Sequence, residues 1–350
     1  MSRDIHAQAL QQEHTAPADT LLSVRDLAVN FRVASGSWPW QKSMLRAVNG
    51  ISFEMRRGET LGLVGESGCG KSTLARALIG LAPVASGSVR WHGEETVFGA
   101  RRRLVALRRG AQMIFQDPLA SLDPRMSIGE IVAEPLRTHA PQLGRAEIAC
   151  RVLTMLERVG LSAHHVERRA HEFSGGQCQR VGIARALIGE PQLVICDEPV
   201  SALDVSIQAQ IVNLLRDLQR ELGLSLLFVA HDLAVVKALS HRVMVMYLGR
   251  VMELGDRDAV YGAPGHPYTR ALLDAVPVPD PARARERHAP LLTGDIPSPL
   301  RPPSGCAFRT RCANASGRCA EAPPPAALIG STHSIVTCWH PRIADDLPAA

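Results

Sequence analysis

The sequence predicts an α/β fold: a phosphate-binding loop set in a largely parallel sheet, with an antiparallel β edge, a helical insertion and an irregular C-terminal extension that carries cysteines. Three observations predict it. Gly65-Glu66-Ser67-Gly68-Cys69-Gly70-Lys71-Ser72 fits G-x-x-x-x-G-K-[ST] at every fixed position, between the strand-like run Leu61 to Val64 and the helical spacing of Leu74, Ala77, Leu78 and Leu81. The buried-strand runs Leu193 to Cys196 and Leu224 to Val229 flank a helical stripe, Ile207, Ile211, Leu214, Leu215, Leu218 and Leu222. Between Ser127 and Glu172 the apolar period is mostly helical, at Ile128, Ile131 and Val132 and again at Val152, Met155, Leu156 and Val159.

With 350 residues, 46% of them apolar, the chain can bury one large domain plus an appendage, or two domains. A net charge of +5 permits an anionic partner and argues for none. No apolar run approaches the roughly 18 residues of a membrane span. Met1 to Thr20 is polar, has no signal-type apolar core and reads as a disordered tail. The expectation is a cytosolic protein that reaches a membrane through a partner. In that compartment Cys69, Cys150, Cys178 and Cys196 are expected as free thiols.

In order, Leu21 to Val33 reads as an edge strand, Ser35 to Ser43 as an inserted loop with Trp38 and Trp40, and Val48 to Met55 as a second strand. Phe31 is either a base-stacking aromatic or core. The glycines of the phosphate loop let its backbone N–H groups turn inward, and the helix N-terminus adds its positive end. There Lys71 reaches the β- and γ-phosphates, and the Ser72 hydroxyl ligates Mg²⁺. Gly87 to Trp91 is a strand. The arginines Arg101, Arg102, Arg103, Arg108 and Arg109 read as a solvated helical face. Met113 to Phe115 is a short strand ending at Gln116, which can touch Mg²⁺ and the attacking water.

Phe173-Ser174-Gly175-Gly176-Gln177-Cys178-Gln179-Arg180 precedes a helix expected over Val181 to Ile188. It is a second anion site, and hence half of a composite site in a dimer, or an ordinary Ser-capped helix start. Asp197, closing a parallel strand, stands where Mg²⁺ is held. Glu198 points elsewhere and suits a general base. His231, past the next strand, reads as a γ-phosphate contact or a plain surface histidine. Arg242 to Leu248 and Arg250 to Leu254 form a hairpin around Gly249, and Pro264 to Gly305 reads as an irregular linker.

These motifs, in this order from Phe31 to about Leu254, resemble the ATP-binding-cassette ATPases. FQDPLASLDPRM, CDEPVSALDVSIQAQIVNLL, HDLAVVK, MYLGR, HPYT (His266 to Thr269), AVPVPDP and PPSGCAFRTRC narrow the resemblance to the ATP-binding subunits of oligopeptide/dipeptide permeases, nearest the F-type subunit, over about Leu21 to Cys338. The resemblance implies a P-loop cassette with a RecA-like core over 21–262, its helical insertion about 117–180, and a permease-type extension over 263–350. It implies ATP held by Phe31, by Gly65, Glu66, Ser67, Gly68, Cys69, Gly70, Lys71, Ser72 and Thr73, and in trans by Ser174, Gly175, Gly176 and Gln177. Mg²⁺ would sit on Ser72, Gln116 and Asp197, and Glu198, His231 and Gln116 would be catalytic. The implied partners are a second, D-type ATPase or a second copy, two transmembrane permeases and an extracytoplasmic peptide-binding protein, with no nucleic acid. The implied place is peripheral, on the cytoplasmic face of the inner membrane. Residues between Asp117 and Pro135 would meet the permeases.

Cys306, Cys312, Cys319 and Cys338 follow as C-x5-C-x6-C-x18-C. Such a set can hold an iron–sulfur cluster or zinc, pair as disulfides, or stay free; zinc's usual C-x2-C pairs are missing. His333 and His340 are spare ligands. Some related subunits carry a [4Fe–4S] cluster, which keeps that option open. The competing reading, a soluble cassette ATPase acting on ribosomes or nucleic acid, predicts two cassettes or long coiled-coil insertions, and the sequence has neither. Peptide as cargo is a family inference, with nickel, glutathione or a sugar-peptide as alternatives.

Overall fold

The computed structural model describes residues 19–34, 42–96, 101–276, 294–329 and 334–342, with the side chains of 101–103 excepted. The expected tail up to residue 18, the loop with Trp38 and Trp40, the linker charges Arg283, Arg285, Glu286 and Arg287, and His333 lie outside them.

Two long strands, β1 (Thr20–Ala34) and β2 (Lys42–Arg56), pair antiparallel, with Phe31 opposite Leu45. After β3 (Thr60–Val64) and α1 (Lys71–Leu78), strands β4 (Ser86–Trp91) and β5 (Glu94–Thr96) complete a four-stranded antiparallel sheet, β2-β1-β4-β5. Next come α2 (Arg101–Gly110) and β6 (Ala111–Ile114). The helical insertion is α3 (Ile128–His139) and α4 (Arg145–Arg158). The chain then alternates: α5 (Gly175–Leu187), β7 (Leu193–Asp197), α6 (Val205–Leu222), β8 (Ser225–Val229), α7 (Leu233–Leu239), β9 (Arg242–Tyr247) and β10 (Arg250–Asp256).

Strands β3, β6, β7, β8 and β9 run parallel in the order β9-β3-β8-β7-β6. They are buried on both faces, which is why they read as unbroken apolar runs. The two-residue period still sorts them. Val194, Cys196, Leu226, Phe228, Val243 and Val245 join a core shared with the helical insertion. Leu193, Ile195, Leu227, Val229, Met244 and Met246 face the antiparallel sheet and α1.

Helix starts are fixed by short polar side chains. Ser127 and Glu130 form a capping box on α3, and Asp204 and Asp232 accept N–H groups at the starts of α6 and α7. The expected helix over Val181 to Ile188 begins six residues earlier, at Gly175, because Ser174 and Gln177 also form a capping box. Arg108 is not simply solvated. Its guanidinium donates to the Ile79 and Gly80 carbonyls (3.0 Å each), satisfying the C-terminal end of α1.

The C-terminal segment departs most from expectation. Just before the supposed linker lies α8 (Arg257–Gly262), and within it lies α9 (Pro267–Asp274). Farther on, α10 (Gly317–Glu321) precedes a hairpin of β11 (Ala326–Ile329) and β12 (Ser334–Thr337). Strand β12 pairs with β10, Val336 opposite Glu253, so the main sheet has eight strands, β11-β12-β10-β9-β3-β8-β7-β6. The extension is not wholly irregular because β10 needs hydrogen-bond partners on its second edge.

Candidate functional site

Because the central strands are parallel, the turns after β3, β6, β7 and β8 gather at one edge of the sheet. They bring the loop Gly65 to Ser72, Gln116, Asp197 with Glu198, and His231 together. Gly70 ends the loop at φ 104°, and a Cβ there would collide with the Ala47 carbonyl, so no other residue fits. Lys71 is 4% exposed, and its Nζ donates to the Gly65 and Glu66 carbonyls (2.8 and 3.2 Å), folding the side chain back over the loop.

Glu198 has φ 46°, a left-handed conformation uncommon outside glycine. That turn swings its carboxylate away from the strand line. Oε1 lies 3.9 Å from Lys71 Nζ, Gln116 Nε2 donates to Oε2 (3.1 Å), and His231 Nδ1 stands 3.7 Å from Oε2. Asp197, one residue earlier, is fully buried. Burial pushes its carboxyl up; the Ser72 hydroxyl and Arg76 (3.5 Å) pull it back. Its Oδ1 has no hydrogen-bond partner. An orphaned buried carboxylate oxygen beside a serine hydroxyl is a fitting donor set for a hard divalent cation such as Mg²⁺. A cavity of about 340 Å³ opens over these groups. It is lined by the loop residues Ser67 to Thr73, apart from Cys69, together with Gln116, Glu198, Phe31, Leu45 and Pro299. Phe31 thus both packs against the antiparallel core and faces the cavity.

A family model for ABC transporters matches residues 48–201, and one for the C-terminal region of oligopeptide/dipeptide transporters matches 252–319. The oligopeptide transport ATP-binding protein OppF of Escherichia coli is 58% identical over 91% of this chain and 95% of the relative. OppF of Haemophilus influenzae is 54% identical over 91% and 96%. The chain belongs to the ATP-binding-cassette ATPases, in their oligopeptide/dipeptide transporter branch. Two solved structures share the cassette fold. CbiO1 of Clostridium perfringens, part of the ABC transporter complex CbiONQ, has a TM-score of 0.59 at 31% identity, covering 70% of this chain and 92% of that one. A cassette captured as a dimer in a post-hydrolysis state with ADP and Pi has a TM-score of 0.60 at 26% identity, covering 68% and 99%.

Within this cassette ATPase, Ser174, Gly175, Gly176 and Gln177 are not brought to the cavity; Ser174 and Gly175 are exposed on the helical side. All eight cysteines are unpaired. Burial is the main cause that raises the thiols of Cys306, Cys312 and Cys338, the last to about 11, and neighbouring cysteines add to the rise. Yet among the described residues no group of three or more His, Cys, Asp or Glu is arranged to hold a metal ion. The thiols are engaged locally: Cys338 Sγ accepts from the His340 N–H (3.3 Å), and Cys319 Sγ meets Ser316 Oγ at 3.7 Å. The [4Fe–4S] option has no support in this arrangement. Among the described residues no helix is long and apolar enough to cross a membrane.

Sequence reasoning missed Pro299, Tyr268, Arg311 and Arg76. For Tyr268 a signal existed. His266-Pro267 is a helix start, and His266 Nδ1 accepts from the Tyr268 N–H (3.0 Å) with proline at the first helical position. Arg311 pairs across 245 residues, and no local pattern announces that.

Proposed function

We propose that this ATPase powers import of oligopeptides or dipeptides through a membrane permease. The observation that carries the chemistry is the convergence of Lys71, Gln116 and His231 on the Glu198 carboxylate, beside the phosphate loop. In this reading the loop amides and Lys71 bind the phosphates of ATP, and Phe31 stacks on the base. Ser72 and Asp197, with Gln116 nearby, would hold Mg²⁺, which would supply charge neutralisation to the phosphates of ATP. Gln116 orients the water, Glu198 takes its proton, and His231 contacts the γ-phosphate. Ser174, Gly175, Gly176 and Gln177 do not line the cavity of their own chain. They close on ATP held by a second cassette, a D-type subunit or another copy.

The peptide cargo rests on the oligopeptide-transport role of the OppF relatives and on the oligopeptide-type C-terminal region. Two permease subunits and an extracytoplasmic peptide-binding protein complete the proposed importer, with the cassette peripheral on the cytoplasmic face. A large cavity of about 1060 Å³ between α3 and α4 suits a permease helix. It is lined by apolar Ile148, Val152 and Leu153 and rimmed by Arg137, Arg145 and Arg169. The test is capture of the tagged chain from its native membranes in mild detergent, followed by ATP-driven uptake of a labelled oligopeptide into vesicles of the same membranes. Recovery of a second cassette and two multi-span proteins, with uptake abolished by Lys71→Ala, is expected. Recovery of ribosomal or DNA-repair proteins instead overturns the transport reading.

A further inference from the structure

Glu66, the second residue of the phosphate loop, is gripped from outside the cassette core. Arg311, in the turn between Cys306 and Cys312, places its guanidinium fork on the Glu66 carboxylate, with NH1 to Oε2 at 2.6 Å and NH2 to Oε1 at 3.0 Å. The pair is sheltered, the Arg311 side chain being 5% exposed and that of Glu66 20%. The same guanidinium lies over the Tyr247 ring at 5.9 Å. The Glu66 main chain is also held, since its N–H donates to the Tyr268 hydroxyl (3.0 Å) and its carbonyl accepts from Lys71 (3.2 Å). An N–H committed to a tyrosine is not free for phosphate. Glu66 therefore serves the loop mechanically. Tyr268 and Arg311 come from separate parts of the extension, joined by ring contacts of Phe308 with Tyr247 (5.4 Å) and Tyr268 (5.2 Å).

We propose that Arg311 is a positioning residue for the nucleotide site: it fixes the phosphate loop through Glu66 and cancels a carboxylate that would otherwise stand beside the polyphosphate. The proposal rests on the reading of the cavity as the ATP site. A bidentate fork does two jobs that a point charge does not, orientation and neutralisation together. Removing it leaves a sheltered carboxylate unpaired next to the anionic ligand, which is costly in both free and ATP-bound states and worse in the bound one. The effect belongs to binding and not to the chemical step, because Arg311 touches none of the groups around Glu198.

The test uses the full-length chain, with ATP affinity by calorimetry and steady-state ATPase kinetics. Arg311→Gln is expected to weaken ATP binding and raise KM about tenfold with kcat within about twofold of the parent. Arg311→Lys, which restores charge without the fork, is expected to fall between. Glu66→Gln combined with Arg311→Gln is expected to bind ATP no worse than Arg311→Gln alone, since the two groups act as one unit. A lowered melting temperature with ATP affinity and KM unchanged in Arg311→Gln and Arg311→Lys reduces the pair to a structural tie and overturns the proposal. So does a double variant whose losses simply multiply. If Arg311→Gln does not fold, the Arg311→Lys and Glu66→Gln variants decide by the same split. Lys71→Ala is the separate control: parent-like ATP binding there would sink the ATP-site reading itself.

Discussion

Glu198 is where backbone and chemistry meet most closely. A left-handed residue at the end of β7 is strained, and the neighbouring ladder holds it there: its N–H donates to the Val229 carbonyl (3.0 Å), and its own carbonyl accepts from Ser201 Oγ (3.1 Å). Glu198→Gln keeps the hydrogen bond to Gln116 by rotation of the amide and loses the proton acceptor. ATP binding is expected to persist while phosphate release in a single turnover slows by roughly 10²–10⁴-fold. Unchanged turnover would remove Glu198 from the role of base. His266 makes a different prediction at the same scale. It is 1% exposed, its Nδ1 caps α9, and its Nε2 lies by the Thr337 carbonyl without a well-formed hydrogen bond. Burial lowers its pKa to about 3. The folded chain therefore keeps it neutral while the unfolded chain protonates it below about 6.5. Its contribution is intact above that pH and is lost as pH falls towards 3, at about 1.4 kcal/mol per pH unit. Glu253, buried and pushed up, acts with the opposite sign above its ordinary range. His266→Asn keeps a capping oxygen and removes the titration. Urea unfolding between pH 5 and 7 should show a flatter stability profile for the variant.

At the scale of elements, the C-terminal hairpin is part of the main sheet. Val336 on β12 is 1% exposed and stands opposite Glu253 of β10. Val336→Asp places an unpaired carboxylate there and should cost about 3 kcal/mol or more, read as a lowered melting temperature. The parallel core was legible in the sequence. Leu193 to Cys196 and Leu224 to Val229 are short, wholly apolar and followed by polar turns, a pattern that fits a strand with both faces covered. The phosphate loop, Gln116, Asp197, Glu198 and His231 were legible too, because parallel strands necessarily deliver their C-terminal ends to one edge. What stayed hidden was set by distant partners. β12 becomes a strand because β10 has a free edge, Arg108 loses its solvated character because α1 ends beside it, and Pro299 reaches the cavity only through the fold of a proline-rich stretch. The start of α5 was half legible: a Ser-capped helix start was one of the two readings of the Ser174 octet, but the helix was expected only from Val181, and the capping box of Ser174 with Gln177 starts it at Gly175.

At the scale of the whole molecule, two surfaces lie outside the lining of the nucleotide cavity. One is the start of α5, and the other is the large cavity between α3 and α4. Leu153 lines the second and is 38% exposed, an apolar side chain with room for a partner. Leu153→Glu is expected to leave ATP binding by the isolated chain unchanged and to abolish co-purification with membrane-spanning proteins, as read by mass spectrometry of the captured complex. Retained co-purification would move the permease contact elsewhere. The Glu66–Arg311 pair also has a consequence in time. Its members are 245 residues apart. During synthesis, at roughly 5–20 residues per second, the phosphate loop leaves the ribosome about 12–50 s before the arginine that neutralises its acidic residue. A nascent or truncated chain thus presents a loop carrying an unpaired carboxylate, and the nucleotide site is among the last parts of the molecule to be finished.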